Sequence, residues 1–130
     1  MIVIDASLAF DIAIATHAGK ALSDRLMRSG NALAAPEIIE LEFLQTLRRF
    51  LRHGEFQQER ADNAMRIFAA MEIERFSHSP LRGRIWSLRE NLTAYDAAYF
   101  ALAELLGAPL WTRDRKFASV SGHAAHIEIV

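Results

Sequence analysis

The 130-residue sequence predicts an α/β fold, a mainly parallel central sheet flanked by helices in three layers. The chain opens on Ile2-Val3-Ile4, a β-branched run without polar alternation, as in a strand buried on both faces of a parallel sheet. Short apolar stretches then recur between longer segments of helical periodicity, giving strand, helices, strand, helices, strand, helices, strand, short helix, strand. Acids follow the first and fourth of these strands, at the edge where open α/β sheets bind ligands.

Taken in order, Asp5 ends the first strand and a helical pattern runs from Ala6 to about Ala15. A second helix from Gly19 to Arg28 sets Leu22 and Leu26 on one face before Ser29-Gly30-Asn31 breaks it. The second strand is Ala32 to Ala35. Pro36, in the favoured first helical position, then starts the longest helix, which reaches Arg52 and ends at His53-Gly54. In this reading Glu37 is a first-turn acid that needs no further role.

The next helix spans about Gln57 to Met71, with Ala61, Ala64, Met65, Phe68 and Met71 as its inner stripe. Glu72 to Phe76 is the third strand, with Ile73 inward. Ser79-Pro80 opens another helix in cap-then-proline order, carrying Leu81, Ile85 and Leu88. The most informative stretch follows, from Thr93 to Lys116. Thr93 caps a helix with Asp96 in its first turn, Gly107 and Pro109 stop it, and the short strand Leu110-Trp111 delivers Asp114. The alternating tail Ile127 to Val130 is an edge strand.

Composition bounds the function. A length of 130 residues with 52% apolar and 24% charged residues makes one domain, 1–130, with its own core and no disordered tract. Net charge is -1, so any polyanion must be met by local clusters of the 15 cationic residues, all but two of them arginine. The absence of cysteine excludes disulfides, thiolate metal sites and Cys nucleophiles. Met1 to Asp5 has no basic leader, and no uncharged run reaches membrane-spanning length, so a cytoplasmic protein without membrane association is expected.

Asp5, Glu42, Asp96 and Asp114 are the candidate site. If the connections are right-handed crossovers, Asp96 and Asp114 meet at the same edge as Asp5. Each acid singly has an ordinary explanation, since Asp96 suits a capped first turn and Asp114 can cap Arg115 to Val120. Four carboxylates pressed together repel and take up protons, a cost that a hard divalent ion removes. Oxygen-only ligation points to Mg²⁺ or Mn²⁺ rather than Zn²⁺. Such an ion generates hydroxide and neutralises charge on a phosphodiester undergoing hydrolysis. Ser7 and Thr112, each two residues from an acid, either hold a bound water or phosphate oxygen or satisfy backbone at a strand end.

Asp5-Ala-Ser, Pro36-x5-Glu42, Thr93-Ala-Tyr-Asp96-Ala-Ala-Tyr and Leu110-Trp-Thr-Arg-Asp114-Arg resemble the successive motifs of PIN-domain ribonucleases. In size the chain resembles the VapC toxins of bacterial toxin-antitoxin pairs. The resemblance covers nearly the whole chain and implies a PIN-like fold and a Mg²⁺- or Mn²⁺-dependent endoribonuclease. It further implies catalytic and metal-binding acids at Asp5, Glu42, Asp96 and Asp114, a homodimer, an RNA substrate and a VapB-type antitoxin. The sequence alone leaves the choice between Glu42 and Glu40 open; the spacing of the family that the chain resembles, counted from the helix-opening proline, implies Glu42, which also has the polar exit Gln45-Thr46 beyond it.

Arg113, Arg115 and Lys116 either contact RNA phosphates or form a solvated turn. Arg48, Arg49 and Arg52 complement the dipole of their helix end, and His123 with His126 stands in a loop without an adjacent acid. A haloacid-dehalogenase-like phosphatase needs an acid where Ser7 stands, and a receiver-like module needs an adjacent acidic pair that is absent. The remaining alternative is a catalytically silent PIN-like module that binds RNA or protein.

Overall fold

In the computed structural model, which describes residues 1–130, five strands form one sheet in the order β3-β2-β1-β4-β5. These are β1 (Ile2–Ile4), β2 (Leu33–Pro36), β3 (Ile73–Phe76), β4 (Leu110–Thr112) and β5 (Ile127–Ile129). All four pairings are parallel, with Val3 opposite both Ala34 and Leu110. Central β1 is buried along its length, as its β-branched run requires.

Strand order reverses beside β1, because β2 and β3 lie on one side of it and β4 and β5 on the other. That is a topological switch point, with a crevice beyond the carboxyl ends of β1 and β4.

Six helices flank the sheet: α1 (Ala6–Ala13), α2 (His17–Ser29), α3 (Ile39–Arg52), α4 (Gln58–Ala70), α5 (Arg82–Ser87) and α6 (Ala94–Leu106). Helix α1 packs on α2, α3 and α4, whereas α6 lies on β1, β2 and β4 with α5 beside it. Phenylalanines weld the first group, with Phe43 and Phe68 stacked at 3.9 Å and Phe10 and Phe50 at 5.0 Å between ring centroids. Gly19 lets α2 pass α1, since a Cβ there would sit 2.0 Å from the Asp11 carbonyl oxygen. No helix is long and apolar enough to cross a membrane.

Helix α6 has the expected termini, the Thr93 hydroxyl accepting from the Asp96 N–H and Gly107 adopting φ 59°. The start of α3 differs from expectation. Pro36 does not open the helix; it closes β2 opposite Phe76, at a strand end where its missing N–H breaks no ladder bond. The chain turns through Glu37 and Ile38, whose N–H groups donate to the Phe76 carbonyl and to His78 Nε2. Glu37 therefore precedes the helix, and Glu40 and Glu42 are its first-turn acids.

Three further expectations are corrected. Met65 is 39% exposed rather than part of the α4 core stripe, which narrows to Ala61, Ala64 and Phe68. Residues Ser79–Leu81 form a 3-10 turn before α5, and Ser79 caps nothing because His78 occupies the cap position. Helix α2 starts at His17, two residues earlier than its apolar pattern, because the Thr16 hydroxyl accepts from the Gly19 N–H.

Candidate active site

Asp5 leaves β1 in extended conformation and caps α1, its Oδ1 accepting from the Leu8 N–H at 3.0 Å and from the Ser7 hydroxyl at 2.7 Å. Its Oδ2 accepts from the Thr112 hydroxyl at the end of β4. The side chain is thus fixed from three directions, and it is only 4% exposed. Burial raises its pKa, the three hydrogen bonds pull it down, and the charge of Asp114 raises it again.

Glu42, Asp96 and Asp114 line the same cleft of about 330 Å³, with Asp5 at its floor. Glu42 reaches it from α3, where its Oε1 accepts a 2.6 Å hydrogen bond from the Tyr99 hydroxyl. Burial is the main cause raising the Glu42 pKa, the Tyr99 bond opposes it, and the charges of Asp96 and Asp5 raise it further. Asp96 is raised by burial and by Asp114, against a hydrogen bond from Thr93. Tyr99, 1% exposed and facing Glu42, is pushed far up and keeps its phenolic proton. Asp114 caps the 3-10 segment Arg115–Ser119 by accepting from the Lys116 N–H at 3.0 Å while still lining the cleft, so the two sequence readings of this acid are compatible.

Glu40 lies elsewhere. It pairs with Arg75 on β3, outside the cleft.

The donor set is carboxylate oxygen alone, which fits a hard divalent cation. No group of three or more acidic, histidine or cysteine side chains is drawn close enough to chelate an ion by itself.

The hydroxyl candidates separate. Ser7 lines the cleft, donating to Asp5 and accepting from the Arg113 N–H at 3.1 Å. Thr112 is 0% exposed and cannot touch substrate; it donates to Asp5 and accepts from the Asp114 N–H at 2.9 Å, so it positions both acids. Arg113 borders the cleft, but its guanidinium already holds Asp11 Oδ2 at 2.7 Å and the Val130 carbonyl. Arg115 is exposed and does not line the cleft.

Four cleft residues went unassigned in the sequence. Tyr99 follows Asp96 by three residues, and Thr46 and Arg49 follow Glu42 by four and seven, so helical spacing was the available signal. Asp11, one turn beyond Ser7 on α1, carried the same signal. His126 has an acid nearby after all, Glu128 at 3.6 Å, while His123 bonds the loop backbone at Val120 and Ala125.

Comparison with known proteins agrees with this architecture. The family described as PIN domain matches residues 2–123. The chain is 35% identical over 130 residues to Ribonuclease VapC12 of Mycobacterium tuberculosis, covering 100% of this chain and 99% of that protein. In fold it is similar to PAE2754 from Pyrobaculum aerophilum, with TM-score 0.74 and 23% identity over 99% of this chain and 83% of the other. It is also similar to VapBC2 from Rickettsia felis, solved bound to a DNA fragment from their promoter, with TM-score 0.68 and 17% identity over 98% of both chains. With a family match over nearly its whole length and a full-length relative at 35% identity, the chain belongs to the PIN-domain family.

Proposed function

We propose that this chain is a divalent-metal-dependent endoribonuclease, a single PIN-like domain over residues 1–130, acting as the toxin of a VapBC-type pair. The observation that carries the reading is the meeting of Asp5, Glu42, Asp96 and Asp114 in one cleft at the switch point of the sheet. Full-length identity of 35% to a protein named a ribonuclease supports RNA as the substrate. In this reading Asp5, Glu42, Asp96 and Asp114 would together hold Mg²⁺ or Mn²⁺, in part through retained waters, and the ion would supply water activation and charge neutralisation at phosphorus.

The chain's own residues set the stage. Ser7, Thr112 and the Leu8 N–H fix Asp5, so its carboxylate needs no reorganisation when substrate arrives. Tyr99 aims Glu42 and remains protonated. Arg49 and Arg113 at the cleft border offset part of the negative charge facing an incoming phosphate. A homodimer and a VapB-type antitoxin complete the proposal, with the cytoplasm as its location.

Incubating the purified protein with pooled structured and unstructured RNAs in Mg²⁺, Mn²⁺ or EDTA tests the chemistry. Cleavage in either ion and none in EDTA is expected; cleavage that persists in EDTA refutes the metal mechanism. Co-expression with a small reading frame beside the gene should suppress the activity if an antitoxin is encoded there.

A further inference from the structure

We propose that the groove beside the first turn of α6 is a binding subsite for one nucleotide of single-stranded RNA, its base stacked on Trp86 and its phosphates met by Arg82 and Arg89. The inference rests on the endoribonuclease reading and names how the substrate strand is gripped outside the acidic cleft. The groove encloses about 470 Å³, more than the 330 Å³ of the cleft itself.

Its lining is what a nucleotide needs. Trp86 is 67% exposed, whereas the other tryptophan, Trp111, is 6% exposed. Arg89 lies over the Trp86 ring at 4.7 Å and donates to the Trp86 carbonyl at 3.0 Å, bracing the indole from a neighbouring turn. Ile85 and Leu92 give an apolar wall, and no acid lines the groove. Arg82 has no ion-pair or hydrogen-bond partner, and the nearest acid to Arg89 is the solvent-exposed Glu90 at 3.8 Å. The Arg82 guanidinium is therefore free to meet a phosphate, and Arg89, held against one face of Trp86, offers the N–H groups it does not spend on the Trp86 carbonyl.

Charge and position connect groove to cleft. Five acids line the cleft against Arg49 and Arg113, and Arg113 is already paired with Asp11. An RNA strand entering there is repelled unless cations hold its flanking phosphates. Ala94 borders the groove and Asp96 the cleft, two residues apart in the first turn of α6, about 3 Å of rise and about 200° around the axis, so a strand held in both passes around the N-terminus of that helix. Unpaired RNA is commonly recognised by bases splayed onto aromatic rings beside arginine, and stacking tolerates any base.

Titrating protein into 5′-fluorescein-labelled unstructured oligouridylate in EDTA, with affinity read from fluorescence anisotropy in every variant and tryptophan emission followed in wild type, tests the subsite without any need for cleavage. Quenching of wild-type emission is expected, with affinity about tenfold weaker in Trp86→Ala and largely kept in Trp86→Tyr. Arg82→Gln with Arg89→Gln should weaken binding and flatten its log-log salt dependence by about 1.4. Because Trp86 is exposed, circular dichroism and melting of Trp86→Ala should match wild type. Wild-type RNA affinity in Trp86→Ala overturns the proposal, and the same result with a changed sedimentation coefficient assigns the groove to contact with a second protein copy. If RNA is cleaved in Mn²⁺ but Trp86→Ala binds normally, the subsite fails and the nuclease stands. If Trp86→Ala loses binding but wild type cleaves nothing in any ion, the subsite stands and the nuclease fails.

Discussion

The Tyr99 hydroxyl donates a 2.6 Å hydrogen bond to Oε1 of Glu42, joining α6 to α3 across the acidic cleft. Asp96 stands one turn earlier on α6, so the bond brings an acid from each of two helices into one cleft with Asp5, where the charges of Asp96 and Asp5 both act on Glu42. In Tyr99→Phe the bond is lost with little change in shape. Removing a hydrogen bond to a charged group costs about 1.5–3 kcal/mol at most, and loss of a residue that orients a metal ligand lowers activity about 10- to 100-fold. Urea unfolding and cleavage kinetics measure the two effects; wild-type kinetics in Tyr99→Phe would show that Glu42 needs no such support.

Asp5→Asn keeps the shape of the buried side chain and removes its charge. RNA cleavage should vanish while the fold persists, and the metal-free protein should melt no lower than wild type because repulsion from Asp114 is relieved. Added Mn²⁺ should raise the melting temperature of wild type and not of the variant. Full activity in Asp5→Asn would remove this residue from the site.

Glu42→Gln and Glu40→Gln separate two acids of the same helical turn. Glu42→Gln should weaken Mn²⁺ binding and RNA cleavage together, since Glu42 lines the cleft. Glu40→Gln breaks a pair with Arg75 whose side chains are 43% and 30% exposed, so a stability change within about 1 kcal/mol is expected. Metal titration by calorimetry decides between them, and loss of binding in Glu40→Gln alone reverses the assignment.

Without metal, stability should fall as pH rises above the ordinary carboxylate values of 3.8 and 4.5. Burial raises Asp5 and Asp96 above the ordinary 3.8 and Glu42 above 4.5, so the folded state binds more protons than the unfolded chain in that window. Stability from these groups is present below the ordinary values and lost as pH climbs through the raised ones. Glu104 has the opposite sign, because hydrogen bonding to Arg84 lowers it, but its contribution disappears only as pH falls below 4.5. Thermal melts in EDTA should therefore show the higher melting temperature at the acidic end, with a flatter profile in Asp5→Asn. A melting temperature that climbs with pH across this range contradicts the assignment.

Local chemistry made much of the fold legible in the sequence. The β-branched run of β1, the Thr93 cap, the left-handed Gly107 and the Tyr-Asp-Ala-Ala-Tyr register are choices each segment makes with its near neighbours, so the succession of strands and helices, and the places of the four acids at strand ends and helix starts, could be read in advance. What remained undecided depended on contacts distant in sequence. Glu40 turns outward because Arg75 awaits it 35 residues on, and Glu42 is held inward by Tyr99 57 residues on. Thr112 belongs to the site only as a brace, because β4 pairs with β1 and seals its hydroxyl against Asp5, 107 residues away. Pro36 could open a helix as easily as close a strand until β3 arrived alongside β2. Periodicity and capping report what a segment can form; which face it buries, and which acid it aims at its neighbours, is decided when remote segments compete for the same surface.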